Sequence, residues 1–425
     1  MAKDTAGRRG RALDRSFAAL HTRNYRLFFV GQLISQSGTW MQRMAQAWLV
    51  LDLTGSPLAL GTVTALQFVP ILALTLVGGV IADRMPKRDF LLVSQAVRML
   101  QALALWGLVA LGRIELWHVY ALTLVYGVAV ALEQPARRAF PSELVPRDQV
   151  GSAIAMNSAL NNGARVIGPA LGGVAIAAVG VSDCFLLNAI SYVAVLVALW
   201  LMRPEEFFTA SGPLHGSVAQ QVGEGLRYSW RTPEIAFTLL LVCALGTFGY
   251  NFNVILPLLA RYTLDSGATG FGGLNSALGL GSVLGAVVVA AQAGTSRRWV
   301  VGAGTLFALG MGLLAVAPTY ALMLALLFLQ GMASVAFSAG ANTHVQLLAP
   351  DPLRGRVLAL YGLLFTGTTP LGATLTGAVA ARWDVRAALA VDGACCLLGI
   401  ALGLVYLRVI ASRASKPSGD RPVPV

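Results

Sequence analysis

The sequence predicts an all-α integral membrane protein: twelve transmembrane helices in two pseudo-symmetric six-helix halves. Three observations carry this prediction. Apolar runs recur along all 425 residues, each about 20 residues long and so able to cross a bilayer. Cations gather in alternate connecting segments between those runs. Glycines repeat at a fixed offset between the two parts of the chain.

Composition supports the first observation. Apolar residues make up 56% and charged residues 12%, against about 25% charged in soluble domains. The net charge of +12 does not indicate a nucleic-acid partner, because the charges lie in short loops and tails. The first 25 residues are basic without an apolar core, so no cleavable signal peptide is expected. Cys184, Cys243, Cys395 and Cys396 lie in or beside apolar runs and read as packing residues, with no metal spacing. Lys3, Lys87 and Lys416 are the only lysines, and none sits in a phosphate-binding loop, which excludes an ATP-driven pump within this chain. There is no HExxH, Cys/His cluster or nucleophile elbow, so an enzyme is not expected, nor is a cofactor or metal.

In chain order, a basic segment (1–24) precedes a first six-helix bundle (25–202). Its runs lie near 25–51, 58–82, 90–111, 117–140, 149–179 and 182–202. The interval 203–232 is polar, with Pro204, Glu205, Glu206 and Pro213, and reads as a linker. The second bundle (233–410) holds runs near 233–261, 270–293, 299–317, 319–345, 354–380 and 386–409, before a tail at 411–425. In lipid each run must close its own backbone hydrogen bonds, so each is helical. One set of connecting segments carries Arg84, Lys87, Arg88, Arg137, Arg138, Arg203, Arg297, Arg354 and both termini; the opposite set holds only Arg113, Arg261, Arg382 and Arg386. Both termini and the linker are therefore expected in the cytoplasm, and the protein in the inner membrane. Gly127, Pro146, Gly163, Gly168 and Gly173 recur as Gly331, Pro350, Gly367, Gly372 and Gly377, each 204 residues on. Gly55, Gly61 and Ala65 recur as Gly267, Gly273 and Ala277, each 212 residues on.

Polar side chains inside the runs are the candidate functional residues. Gln32, Gln36, Thr39, Arg43 and Gln46 step by three or four along the first run and share a face. An arginine at a bilayer centre costs about 2.5–3.5 kcal/mol, so this face meets protein or water. It is either a wall of a transport cavity or an interhelical hydrogen-bond seam. The fourth run places Thr123, Tyr126, Glu133 and Arg137 on one face. Glu133 is either the i,i+4 ion-pair partner of Arg137 or a proton carrier. Asp392 is the other acidic residue well inside a run and reads first as structural. Arg43, Arg98 and Arg165 cannot release a proton. Asn157, Asn161 and Arg165 approach the string Gly163-Ala-Arg-Val-Ile-Gly168-Pro169-Ala-Leu-Gly172-Gly173, whose Gly168 and Gly172 allow close helix contact. Thr247, Tyr250 and Asn251 mirror the stripe of the first run.

Particular strings resemble a known family. Gly79-Val-Ile-Ala-Asp83-Arg84-Met-Pro-Lys87-Arg88 resembles the loop signature between the second and third spans of the major facilitator superfamily. Pro86 replaces the motif's second glycine and stiffens the turn. The Gly163–Gly173 string resembles the antiporter signature of its drug exporters. Gly38-Thr-Trp40-Met, Leu53-Thr-Gly55-Ser-Pro57, Gln134-Pro135-Ala-Arg137-Arg138 and Arg354-Gly355-Arg356-Val are similar to the branch that includes macrolide-efflux and enterobactin-exporter proteins. The resemblance implies a monomer in membrane lipid that binds a small molecule between its halves near the midplane. It also implies a gating layer formed by Gly79, Asp83, Arg84, Lys87, Arg88 and Arg354. Two departures stand out: Thr39 where relatives often have an acidic residue, and Thr123 near the position of a coupling arginine.

The expected function is export of amphiphilic, drug- or siderophore-like molecules by alternating access in exchange for protons. The alternatives are an uptake symporter or lipid flippase of the same fold, or a membrane receptor.

Overall fold

The computed structural model describes residues 17–208, 218–291 and 294–414. They form helices, and no strand occurs among them. Helix α1 (Arg23–Thr54) ends at Gly55, which takes a left-handed φ of 59° and donates its amide to Leu51. Helix α2 (Pro57–Arg84) starts with a proline at its first position, and the Ser56 side chain accepts from the Ala59 amide. Then follow α3 (Lys87–Ala110), α4 (Leu116–Glu143) and α5 (Val150–Trp200). Helix α5 joins the runs at 149–179 and 182–202; the chain turns between them at Gly180, with φ 84° and ψ 172°.

The interval 203–232 is not merely a linker. It holds a helix, α6 (Val218–Arg231), that packs on the second half and pairs Glu224 with Arg356. Helices α7 (Pro233–Phe248) and α8 (Phe252–Leu258) are two parts of one run, interrupted at Gly249–Asn251 and followed by a π turn at Leu259–Thr263. Next come α9 (Gly267–Ala290), α10 (Arg297–Val316), α11 (Tyr320–Leu348), α12 (Asp351–Gly367), α13 (Thr369–Arg382) and α14 (Val385–Ala414). Helices α12 and α13 divide the predicted run at 354–380 where Thr368 leaves the regular ladder.

Among the described residues, ten helical segments are long and apolar enough to cross a membrane. Helix α1 is not one of them, because its polar face lowers its hydropathy. Most polar side chains of α1 are covered: Gln32, Ser35, Thr39, Gln42 and Gln46 are buried, Gln36 and Arg43 half-buried, and α1 has its most extensive contacts with α5.

The repeated glycines sit at equivalent crossings. A Cβ on Gly127 of α4 would lie 2.7 Å from the Gln67 carbonyl of α2. Its counterpart Gly331 of α11 meets the Leu278 carbonyl of α9 in the same way. Between the halves, a Cβ on Gly173 of α5 would lie 2.6 Å from the Gly272 Cα of α9. Its counterpart Gly377 of α13 would lie 2.8 Å from the Pro57 carbonyl at the start of α2. The halves therefore meet through two symmetry-related helix pairs, α5 with α9 and α2 with α13. Both crossings lie toward the end that carries Asp52 and Arg261, which form an ion pair between halves. There the Tyr262 hydroxyl also donates to the Gly55 carbonyl at 2.8 Å.

Candidate transport site

The polar centre of the first half is built from a stripe on α3. Ser94, Gln95, Arg98 and Gln101 recur at helical spacing and are buried. Arg98 Nη1 lies 3.0 Å from Glu133 Oε2 on α4, with both side chains at 5% exposure or less. The same oxygen accepts from Ser94 Oγ at 2.8 Å, and Oε1 accepts from Gln95 Nε2 at 2.9 Å. Arg137 Nε stands 3.5 Å from Oε1. Glu133 is therefore held by two guanidiniums and two neutral donors. Such a complete set is what makes a buried carboxylate tolerable. The sequence expectation paired Glu133 with Arg137 alone; the closer partner is Arg98, from the neighbouring helix.

Arg98 also faces two aromatic rings. Its guanidinium carbon lies 5.2 Å from the Tyr126 ring centre and 5.0 Å from that of Tyr192. Tyr192 OH and Thr39 Oγ1 are 3.2 Å apart. Below this layer, amides chain the helices together: Asn188 Nδ2 donates to Gln42 Oε1 at 2.5 Å, and Gln42 Nε2 to Gln101 Oε1 at 3.0 Å. Gln46 Nε2 donates to Thr123 Oγ1 at 2.8 Å.

The α1 stripe divides, residue by residue, between the lining of internal spaces and bonds to neighbouring helices. Gln36, Thr39 and Arg43 line a cavity of about 160 Å³ with Trp40, Arg98, Tyr126, Val130, Glu133 and Arg137. Gln46, although bonded to Thr123, lines a second space of about 50 Å³ with Trp40, Arg43 and Gln67. The far wall of that space is Asn253, Phe271 and Asn275 of the second half. Trp40 and Arg43 border both spaces, and the Arg43 guanidinium lies 4.7 Å from the Trp40 ring centre. A larger space of about 450 Å³ lies between the halves at the Asp52 end, lined by Pro57, Tyr262, Trp383 and Arg386 among others.

Other predicted residues lie elsewhere. Gln32 is buried on α1, with its Nε2 unpaired. Tyr250 turns into its own half, where its hydroxyl donates to the Ser334 carbonyl at 2.6 Å and its ring stacks on Phe307. Asn251 repairs the break between α7 and α8. Its Nδ2 donates to the Thr247 carbonyl at 2.8 Å and to Thr376 Oγ1 at 2.9 Å. Thr376 Oγ1 in turn donates to Asp392 Oδ2 at 2.9 Å. Asp392 therefore belongs to a buried network within the second half, away from the Glu133 cavity. Asn157 is half-buried on α5.

In the predicted gating layer, Lys87 Nζ bonds Glu143 at 2.5 Å. Arg88 donates to the Leu199 carbonyl at 2.7 Å and the Trp200 carbonyl at 3.1 Å, serving the C-terminal end of α5. Both contacts stay within the first half. Arg84 is exposed, Gly79 has no neighbour near its Cβ position, and Arg354 Nε donates to the Gln346 carbonyl. The Asp83 side chain lies outside the described residues, as do the surroundings of Asn161, Gly168 and Pro169. Of the remaining helix-packing glycines, Gly172 faces Met41 and Met44 of α1, Gly173 faces α9, and Gly163 has open space.

Sequence reasoning left Ser94, Gln95, Gln101 and Tyr192 out of the site and set Arg98 aside as unable to titrate. The signal for the α3 residues was available as a polar stripe at i, i+1, i+4 and i+7. Nothing in the sequence marks Tyr192, a tyrosine in the middle of the run at 182–202.

A family profile described as "Transmembrane secretion effector" matches residues 14–425. The multidrug efflux pump Tap of Mycolicibacterium fortuitum is 28% identical over 406 residues, covering 92% of this chain and 98% of that protein. The staphyloferrin A transporter of Staphylococcus aureus is 25% identical over 366 residues, covering 82% and 87%. Among solved structures, a bacterial homologue of the human lysosomal transporter Spinster, inward-facing and unoccupied, superposes with a TM-score of 0.73 at 13% identity, covering 93% and 99%.

Proposed function

The chain belongs to the transmembrane secretion effectors of the major facilitator superfamily, and from this premise we propose that it is a secondary exporter. It moves drug- or siderophore-like amphiphiles out of the cytoplasm by alternating access, as a monomer in the inner membrane. The observation that carries the reading is the cavity at Arg43 and Glu133. It is polar, it lies within the membrane-spanning helices, and it borders the seam between the halves through Trp40 and Arg43. The halves then rock about the α5–α9 and α2–α13 crossings. Arginine placement orients the Lys87 end toward the cytoplasm.

Proton exchange is assigned to Glu133. Among the described residues it is the only acidic side chain lining the cavity, and a proton on it removes the charge that holds Arg98 and Arg137 in place. That change alters the packing of α3 against α4 and gives each protonation state its own geometry. Asp392 is the reserve carrier, less suited because Thr376 and Asn251 tie it into its own half.

The test uses inside-out vesicles with an acidic interior and a panel of fluorescent amphiphiles. The proposal expects accumulation in the vesicles that collapses with a protonophore and is lost in Glu133→Gln. Accumulation only in right-side-out vesicles would replace export by uptake, and undiminished proton-driven export by Glu133→Gln would remove Glu133 as carrier.

A further inference from the structure

We propose that Arg43 is the anchor for an acidic group on the transported molecule, so that the substrate class is amphiphilic carboxylates or phosphates. The inference rests on the transport reading above and deepens it.

Among the described residues, the cavity walls carry three guanidiniums, on Arg43, Arg98 and Arg137, and one carboxylate, on Glu133. Arg98 and Arg137 share that carboxylate. Arg43 has Tyr126 as a polar neighbour and, among the described residues, no carboxylate partner. Its Nε is buried without a hydrogen-bond acceptor. A guanidinium stays protonated, and holding one inside a membrane is costly without an anion. A planar acid fits the donor fork of arginine, and a charge-assisted bond there is about twice as strong as a neutral one. A cationic amphiphile would meet net positive walls instead.

The geometry supplies the rest of a binding site. Trp40 holds the Arg43 guanidinium against its face, and Arg43 lines the open space beside it. An apolar body has a place beside it: the space toward the second half is lined by Met44, Ala47, Leu60, Val63 and Phe271. An acid seated on Arg43 can thus touch both halves. That position lets occupancy influence how the halves meet. An anion leaving a cell also moves with the membrane potential, gaining about 2.3 kcal/mol per charge per 100 mV.

The experiment is calorimetric titration of the full chain in phosphatidylcholine nanodiscs. The ligands are 1-naphthaleneacetate and its neutral amide, 1-naphthaleneacetamide. The acid should bind at least about tenfold more tightly than the amide. Arg43→Gln should abolish that preference, and Arg43→Lys should retain part of it. Lys separates loss of the charge from loss of the fold, and a thermal midpoint on each variant identifies misfolding. Equal affinity for acid and amide, or a preference that survives Arg43→Gln, would overturn the assignment. Competition by added phosphatidylglycerol would place the acidic group on a lipid headgroup, still seated on Arg43; failure to compete would leave soluble acids as the source. If the acid binds through Arg43 yet no amphiphile moves outward in inside-out vesicles, the anion site stands and the exporter reading falls.

Discussion

The Arg98–Glu133 pair is a quantitative test of the site's construction. Both side chains are almost wholly buried, 3.0 Å apart. At an effective dielectric of about 20 their attraction is about 5.5 kcal/mol, most of it offset by the cost of desolvating both charges. Removing one member leaves the other charge buried and unpaired, which costs about 3–5 kcal/mol. Glu133→Leu strips the acceptor from Arg98, Ser94 and Gln95 together and should reach the upper part of that range. Arg98→Leu should be milder, because Arg137 still faces Glu133. Replacing both with leucine still leaves Arg137, Ser94 and Gln95 without the carboxylate and should cost about 5 kcal/mol, no more than Glu133→Leu alone. The assay is the thermal inactivation midpoint of each purified variant at one scan rate. The four proteins form a double-mutant cycle with a coupling energy of about 2–3 kcal/mol. If the two single losses simply add in the double variant, the pair is not coupled, and the account of the buried charge centre fails.

Three further outcomes concern the glycine crossings, Asp392 and the loop motif. Gly173→Ala sets a methyl 2.6 Å from the Gly272 Cα and should cost about 1–3 kcal/mol by overpacking and arrest transport, whereas Gly163→Ala enters open space and should be tolerated in the same vesicle assay. Asp392→Asn keeps an acceptor for Thr376 and should transport normally, while Asp392→Leu should lose about 1–3 kcal/mol of stability, read as a lower midpoint with the surviving protein still active. Asp83→Asn should insert at normal levels and transport more slowly; full-rate efflux would take the loop motif out of the mechanism.

Much of the fold was legible because a bilayer leaves the chain few options. Apolar length, cation placement and the repeated glycines each report a constraint the membrane imposes on backbone and charge. The glycine repeat carried more than duplication: Gly127 and Gly331, like Gly173 and Gly377, mark the same crossing in each half. Helix α6 was missed because its segment is polar and bounded by proline and glycine, while its packing on the second half is a tertiary property. In the site, the α1 stripe was visible from its spacing. Its division between Gln46, bonded to Thr123, and Arg43, lining the cavity, depends on which neighbours pack where. The local i,i+4 rule found Arg137 for Glu133 but could not rank it behind Arg98, 35 positions away in the chain. Tyr250 and Asn251 repeated the pattern of α1 in sequence, yet the break between α7 and α8 draws them into bonds with Ser334 and Thr376.

Alternating access is the claim on which the transport reading depends, and the Asp52–Arg261 contact between halves gives direct access to it. In a chain cleared of Cys184, Cys243, Cys395 and Cys396, cysteines at 52 and 261 would be cross-linked by mild oxidation, and outward transport followed in inside-out vesicles. The account predicts that the disulfide stops transport and that a reductant restores it, because the halves must part at this end in every cycle. Full-rate transport by the cross-linked protein would contradict it.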